Sequence, residues 1–265
     1  MSDADWLRTG IGDADAESIT LMGRDLASEL MGEVTFTELT FLLVRRRMPS
    51  AQETRLLDAV LVSLADHGLT PTVLAARLTH TGAPESIQGA IAAGLLGAGS
   101  VFLGVVEDTA RFLDEVLAAG GSDAAASDLR AAAERAVADR VAADRRIPGL
   151  GHPVHKREDP RTPRIYEIAE EAGLLGPHLR LLRIVADVHR DQTGAQLPVN
   201  GAGVDGAALA DLGFPAALLR GLALLARTAG LLGHLAEEMD RPLGMPLYRE
   251  IDQRASYEPP TPGAD

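Results

Sequence analysis

Apolar positions recur at helical rather than strand spacing along most of this chain. Thr35-Phe-Thr-Glu38 and Ser50-Ala-Gln-Glu53 each carry the Ser/Thr-x-x-Glu pattern of a capping box and open an apolar-periodic run, which predicts two helix starts. The second helix runs towards Ala65 and ends at Asp66-His67-Gly68. Thr70-Pro71 predicts another start, because proline at the first helical position lacks only an N–H that would have no helical partner. The segment ESIQGAIAAGLLGAGS, after Ala83-Pro84, is made of small residues and predicts a helix buried against close neighbours. Helical periodicity resumes from Val105 to about Asp144, interrupted at Gly120-Gly121-Ser122, and its second half is alanine-rich with charges on a solvated face. Further helices are predicted from near Pro160 and Pro177, then a glycine-rich break at VNGAGVDG and a long apolar helix from Pro215 to about Glu238. Ser18 to Val34 mixes a strand-like start with a helical pattern and predicts an isolated hairpin or extended arm. The proline-rich tail RPLGMPLYREIDQRASYEPPTPGAD predicts irregular structure, and no repeat of fixed period is present.

Composition sharpens this to an all-α fold. Aromatic residues make up only 3% of the 265 positions while alanine, leucine and glycine are abundant, favouring helices packed through small residues over sheets with β-branched and aromatic faces. That length can fill one large domain or two smaller ones. The net charge of -13 opposes nonspecific attraction to nucleic acid or anionic membranes, so neither is an expected partner. The absence of cysteine excludes a disulfide framework, a thiolate nucleophile and cysteine-ligated metal. The acidic start MSDADWLRTG lacks a hydrophobic signal segment and no run reaches the ~18 consecutive apolar residues of a membrane span, so a cytoplasmic location is expected.

Against this acidic background one loop stands out. GLGHPVHKREDPRTPR, Gly149 to Arg164, holds His152, His155, the chain's sole lysine at Lys156, and Arg157, Arg161 and Arg164. Glycines at 149 and 151 permit tight backbone geometry, so the loop can present backbone amides, an imidazole and the bidentate Arg161 guanidinium to one anion, with Lys156 and Arg157 able to meet phosphates. A solvated charged loop is the plainer alternative. His67 stands at a predicted helix end, where it can answer the helix dipole or project as a carboxylate ligand and proton carrier. Arg227 lies in the apolar run GLALLARTAGLLGHLAEE, where burial demands a structural ion pair or a ligand. His234 shares roughly its face and reads as a satisfied core histidine. VNGAGVDG spells GxGxxG without the preceding strand of a dinucleotide site, and no histidine-carboxylate cluster has metal spacing.

The loop GLGHPVHKREDPRTPR resembles the signature of the citrate synthase superfamily, a Gly-x-Gly-His start with a downstream Asp-Pro-Arg. GRDLASEL is similar to the family's N-terminal arm, ADHG to its first substrate-binding histidine, ARTAGLLGHLAEE to its late arginine helix, and PLYREIDQRASYEPP to the end of the citryl-CoA lyase module of ATP-citrate lyase. The resemblance implies citryl-CoA lyase-like cleavage or formation of a citryl-CoA-type thioester, giving acetyl-CoA and oxaloacetate or a related 2-oxo acid. It implies coenzyme A or acetyl-CoA as substrate or product and no metal. The small-molecule partners would be an acyl-CoA and a 2-oxo acid, and the chain would form a homodimer or higher oligomer. His67, His152 and Asp205 would be catalytic; His67, His152, Arg161 and Arg227 would bind the substrate. Gly149, Gly151, Val154, Lys156 and Arg157 would hold the coenzyme A nucleotide. A large domain of residues 1–100 and 208–265 and a small mobile domain of 101–207, carrying the coenzyme A loop, are expected.

Two departures accompany the resemblance. The segment Gly97–Gly104 lacks the histidine of citrate synthases, which selects the lyase branch. In VNGAGVDG, where the family has Asn-Val-Asp-Gly, anchoring on Asn200 puts Ala202 at the catalytic aspartate, whereas anchoring on Val204-Asp205-Gly206 puts Asp205 there. A catalytically silent or altered acyl-CoA or dicarboxylate-binding homologue with a regulatory role is the alternative function, and a plain helix N-cap the alternative role for Asp205.

Overall fold

The protein is described by a computed structural model covering residues 8–121 and 126–259. Helices build its body: α1 (Phe36–Arg45), α2 (Ala51–Ala65), α3 (Pro71–Gly82), α4 (Ile87–Leu96), α5 (Val105–Gly120), α6 (Ala126–Ala142), α7 (Arg161–Glu171), α8 (Pro177–Thr193), α9 (Gly201–Asp211), α10 (Ala216–Asp240) and α11 (Gly244–Arg254). The all-α expectation holds for all but the N-terminal arm. There β1 (Gly12–Ala14), β2 (Ile19–Leu21) and β3 (Arg24–Asp25) pair antiparallel in sequence order, with Gly12 opposite Leu21 and Thr20 opposite Asp25. A π-helical turn, Leu26–Leu30, follows.

Local chemistry sets several helix starts. Thr35 Oγ1 accepts from the Glu38 N–H at 3.2 Å while the Glu38 carboxylate accepts from the Thr35 N–H at 2.8 Å. Ser50 and Glu53 repeat the arrangement at the start of α2, at 3.2 and 2.8 Å. Pro71 and Pro177 are the first residues of α3 and α8. The break at Gly120-Gly121 ends α5, and Ser122, residues 1–7 and residues 260–265 lie outside the described residues.

Two sequence expectations fail. VNGAGVDG is not a break, because α9 begins at Gly201 and runs through it. Its glycines are used for close approach: a Cβ on Gly206 would collide with the Val106 carbonyl of α5, and one on Gly203 with the backbone of Gly149. The tail is not irregular throughout, since α11 occupies Gly244–Arg254. Glu238 makes that start possible by accepting N–H bonds from Leu243 and Gly244 at 2.7–3.0 Å, which satisfies donors that open a helix.

Contacts divide the chain into two units, one of residues up to Ser63 with Val105–Arg220, the other of Leu64–Gly104 with residues from Gly221 onwards. These units are distinct from the large and mobile domains implied by the resemblance, a division by motion that stays a proposal. In the first unit α9 packs on α5, α7 and α8, and Phe41 meets Phe214 edge-on with centroids 5.3 Å apart. The C-terminal end of α9 is fixed by Asp211, whose carboxylate accepts from the His178 and Leu179 N–H groups and contacts the His178 ring at 2.8 Å. In the second unit α3 packs on α4, and Val73, Ala76, Ala90, Leu231 and Leu235 form a fully buried cluster. An 18-residue window of α10 is apolar enough by length and composition to cross a membrane, with mean hydropathy 1.4 and a third of it buried.

Candidate active site

In the first unit the charged loop is clamped to the N-terminus of α9. Leu150 pairs with Val199 in an isolated bridge. The Gly151 N–H donates to the Pro198 carbonyl at 2.8 Å, the Asn200 N–H to the Gly149 carbonyl at 2.9 Å, and the Asn200 Nδ2 to the Gly151 carbonyl at 2.8 Å. Gly149 and Gly151 both hold positive φ, +84° and +83°, conformations that favour glycine. Asn200 also caps α9, its Oδ1 accepting from the Gly203 N–H at 2.8 Å. Glycine therefore lets the loop turn twice beside a helix N-terminus without steric conflict.

The loop then organises its own side chains. His152 Nδ1 accepts from the Val154 and His155 N–H groups at 3.1 and 2.9 Å. A nitrogen accepting two such bonds carries no proton, so the neutral ring bears its hydrogen on Nε2 and is a donor there. The His155 ring lies 4.5 Å from it, tilted 31°. Lys156 folds back so that Nζ donates to the His152 carbonyl at 3.1 Å. Val154 is exposed, and Arg157 lines an open cleft of about 200 Å³ with Arg190, Leu197 and Pro198.

Arg161, the first residue of α7, is held from behind. Its Nε and Nη2 donate to the two carboxylate oxygens of fully buried Asp159 at 3.0 and 2.7 Å, and the Gly201 N–H donates to the same carboxylate at 2.8 Å. Burial works against the charge on Asp159, but the Arg161 guanidinium and the Gly201 amide outweigh it and hold the acid well below the usual carboxylate range. The same pairing raises the Arg161 pKa despite burial. The guanidinium lies over Gly201, where any Cβ would strike it, and Nη1 reaches the Ser63 carbonyl at 3.4 Å.

Asp205 sits one helical turn further along α9, completely buried. Its Oδ2 lies 2.6 Å from Ser63 Oγ, and its Oδ1 has no hydrogen-bond partner. Burial pushes its pKa up to about 7, against the lowering effects of Ser63 and Arg161. It is not the N-cap of α9, a role Asn200 fills. Ala202, the alternative in the other register, is half-buried one turn closer to the helix start.

His67 and Arg227 stand on the second unit. His67 is exposed in the turn after α2, a turn fixed by Asp66, which accepts from the Gly68 N–H at 2.8 Å and meets His234 Nε2 at 2.8 Å. His234 is thus satisfied, as expected, but half-buried against Asp66 rather than in the core. Arg227 is buried on α10. The first unit brings Gly149, Gly151, His152, Arg161 and Asp205 to one helix N-terminus. Sequence reasoning missed Asp159, Ser63 and Asn200 as its supports; the Asp-Pro-Arg string was the one available signal, for Asp159.

The family model for the citrate synthase C-terminal domain matches residues 35–249. The chain belongs to the citrate synthase family. Its fold is similar to that of a citryl-CoA lyase from Hydrogenobacter thermophilus, with 29% identity and a TM-score of 0.84, covering 96% of this chain and 95% of that one. The ATP citrate lyase of Methanothrix soehngenii, solved with citrate and coenzyme A, matches 96% of this chain with 42% of its own, at 22% identity and a TM-score of 0.78. A probable ATP-citrate synthase subunit 1 of Schizosaccharomyces pombe is 27% identical over 227 residues, 80% of this chain. This family member spans about a third of that relative's length, 35%.

Proposed function

We propose that this family member carries out coenzyme A thioester lyase or synthase chemistry, cleaving a citryl-CoA-type thioester to acetyl-CoA and oxaloacetate or a related 2-oxo acid, or running the reverse. The likeness to a citryl-CoA lyase over nearly the full length of both chains supports the class. The observation that carries the reading is the carboxylate-backed Arg161 guanidinium beside a buried acid that titrates near neutrality. Arg161, with Arg227, would clamp substrate carboxylates, and His152 would donate from Nε2 to the carbonyl or alkoxide oxygen. His67 would bind the citrate-like moiety, and Asp205 would supply the proton that quenches the acetyl-CoA enolate. Gly149, Gly151, Val154, Lys156 and Arg157 would receive the nucleotide, Lys156 first releasing the His152 carbonyl. No metal is assigned, and a cytoplasmic homodimer or higher oligomer completes the proposal.

A second reading, an acyl-CoA or dicarboxylate binder with silent or altered chemistry, is favoured by one observation: Asp205 is fully buried while the more accessible position on α9 is Ala202. Calorimetric titration with coenzyme A, followed by incubation with citryl-CoA and mass detection, separates the two. Release of acetyl-CoA supports the lyase. Coenzyme A binding with intact citryl-CoA supports the binder.

A further inference from the structure

Within the lyase reading, Asp205 is completely buried and hydrogen-bonds Ser63, the more exposed residue of the pair. Ser63 is only half-buried, its backbone carbonyl meets the Arg161 guanidinium at 3.4 Å, and its Oγ lies 2.6 Å from Asp205 Oδ2. The hydroxyl has a second partner, the Val60 carbonyl at 2.9 Å. One O–H can serve only one acceptor at a time. When Asp205 is protonated, its O–H donates to Ser63 Oγ and the serine donates to Val60. When Asp205 is ionised, the serine donates to Asp205. The rotor position of Ser63 thus follows the protonation state of the acid.

We propose that Ser63 is the proton relay between Asp205 and the reacting carbon, and that this chain uses the Ser63–Asp205 pair where a directly exposed acid would otherwise act. The proposal rests on the lyase reading. As the carbon-carbon bond of the citryl group breaks, its electron pair passes to the thioester enolate and the hydroxyl proton is released to solvent. Ser63 turns from Val60 and gives its O–H proton to the enolate carbon, forming the C–H bond with the enolate pair. Asp205 Oδ2–H breaks as a new Ser63 O–H forms. Asp205 remains as carboxylate and regains a proton from solvent, so protons balance and no redox partner is needed.

The test compares wild type, Ser63→Ala, Ser63→Thr and Asp205→Asn for citryl-CoA cleavage, for deuterium incorporation from D2O into the acetyl-CoA methyl group, and for coenzyme A affinity. Ser63→Ala is expected to lose cleavage and deuterium incorporation together by about a hundredfold or more, with coenzyme A affinity within twofold. Ser63→Thr, which keeps the hydroxyl, is expected to recover both to within about tenfold. If Ser63→Ala incorporates deuterium at the wild-type rate while Asp205→Asn does not, the relay is overturned and Asp205 acts alone. If wild type cleaves citryl-CoA and both Ser63→Ala and Asp205→Asn do too, the relay falls and the lyase reading stands. If wild type itself neither cleaves nor exchanges, the lyase reading falls and the relay with it.

Discussion

Arg161 and Asp205 differ in what burial does to them. Arg161 keeps its charge because Asp159 accepts two of its N–H bonds, leaving an oriented guanidinium edge for a planar anion. Arg161→Lys keeps the charge but loses the fork. Citrate affinity measured by calorimetry should fall about tenfold to a hundredfold, since a charged hydrogen bond contributes about 1.5–3 kcal/mol. Unchanged affinity would remove Arg161 from the carboxylate clamp. Asp205 instead has a pKa raised from 3.8 to about 7 by burial. An acid whose folded pKa lies above its unfolded value binds a proton on folding, so folded-state stability is undiminished below about pH 4, declines as pH rises towards 7 and stays reduced above it. Asp205→Asn has no such ionisation. Urea unfolding should show it gaining, relative to wild type, on the order of 2–4 kcal/mol between pH 4 and pH 8. A difference independent of pH would mean that Asp205 is ionised in the folded protein throughout.

The helices show where local signals suffice and where they do not. The Thr35–Glu38 and Ser50–Glu53 boxes and the prolines at 71 and 177 were legible because a cap is satisfied within a few residues of itself. VNGAGVDG reads as a break because glycine weakens an isolated helix by roughly 1 kcal/mol per residue. Here that cost is offset by what the missing side chains allow, the close approach of α9 to α5 and to the Gly149 turn. Gly206→Ala, although it raises helix propensity, should therefore destabilise the protein by about 1–3 kcal/mol through overpacking. A thermal melt showing equal or higher stability would contradict the close α5–α9 approach. The tail misled for a related reason: Pro246 falls in the first turn of α11, where proline is tolerated, and distant Glu238 supplies the missing cap.

Stability across the molecule should follow its two units. The second unit depends on a buried charge network in which Arg77 Nε donates to Glu238 at 2.6 Å and Nη1 to Glu237 at 3.0 Å. Arg77 and Glu238 are almost entirely buried, at 4% and 2% side-chain exposure. Arg77→Ala leaves the Glu238 charge without its cation and should cost about 3–5 kcal/mol. Hydrogen exchange should rise first in α3, α4, α10 and α11, with α5, α8 and α9 protected longer. Uniform loosening of the whole chain would show that the two units unfold as one.

The sequence alone determined the helical architecture, most helix starts, the clustering of cationic side chains in the Gly149–Arg164 loop and the family resemblance. These properties depend on residues within a turn or two of one another, or on motifs read in order along the chain. Tertiary structure alone decided that Asp159 backs Arg161 together with the Gly201 amide, that Asn200 rather than Asp205 caps α9, and that Asp205 is buried against Ser63. Ser63 and Asp205 are 142 positions apart. Nothing in the periodicity of either segment encodes their pairing, because a buried polar group takes its partner from whatever the packing of distant helices brings within hydrogen-bond reach.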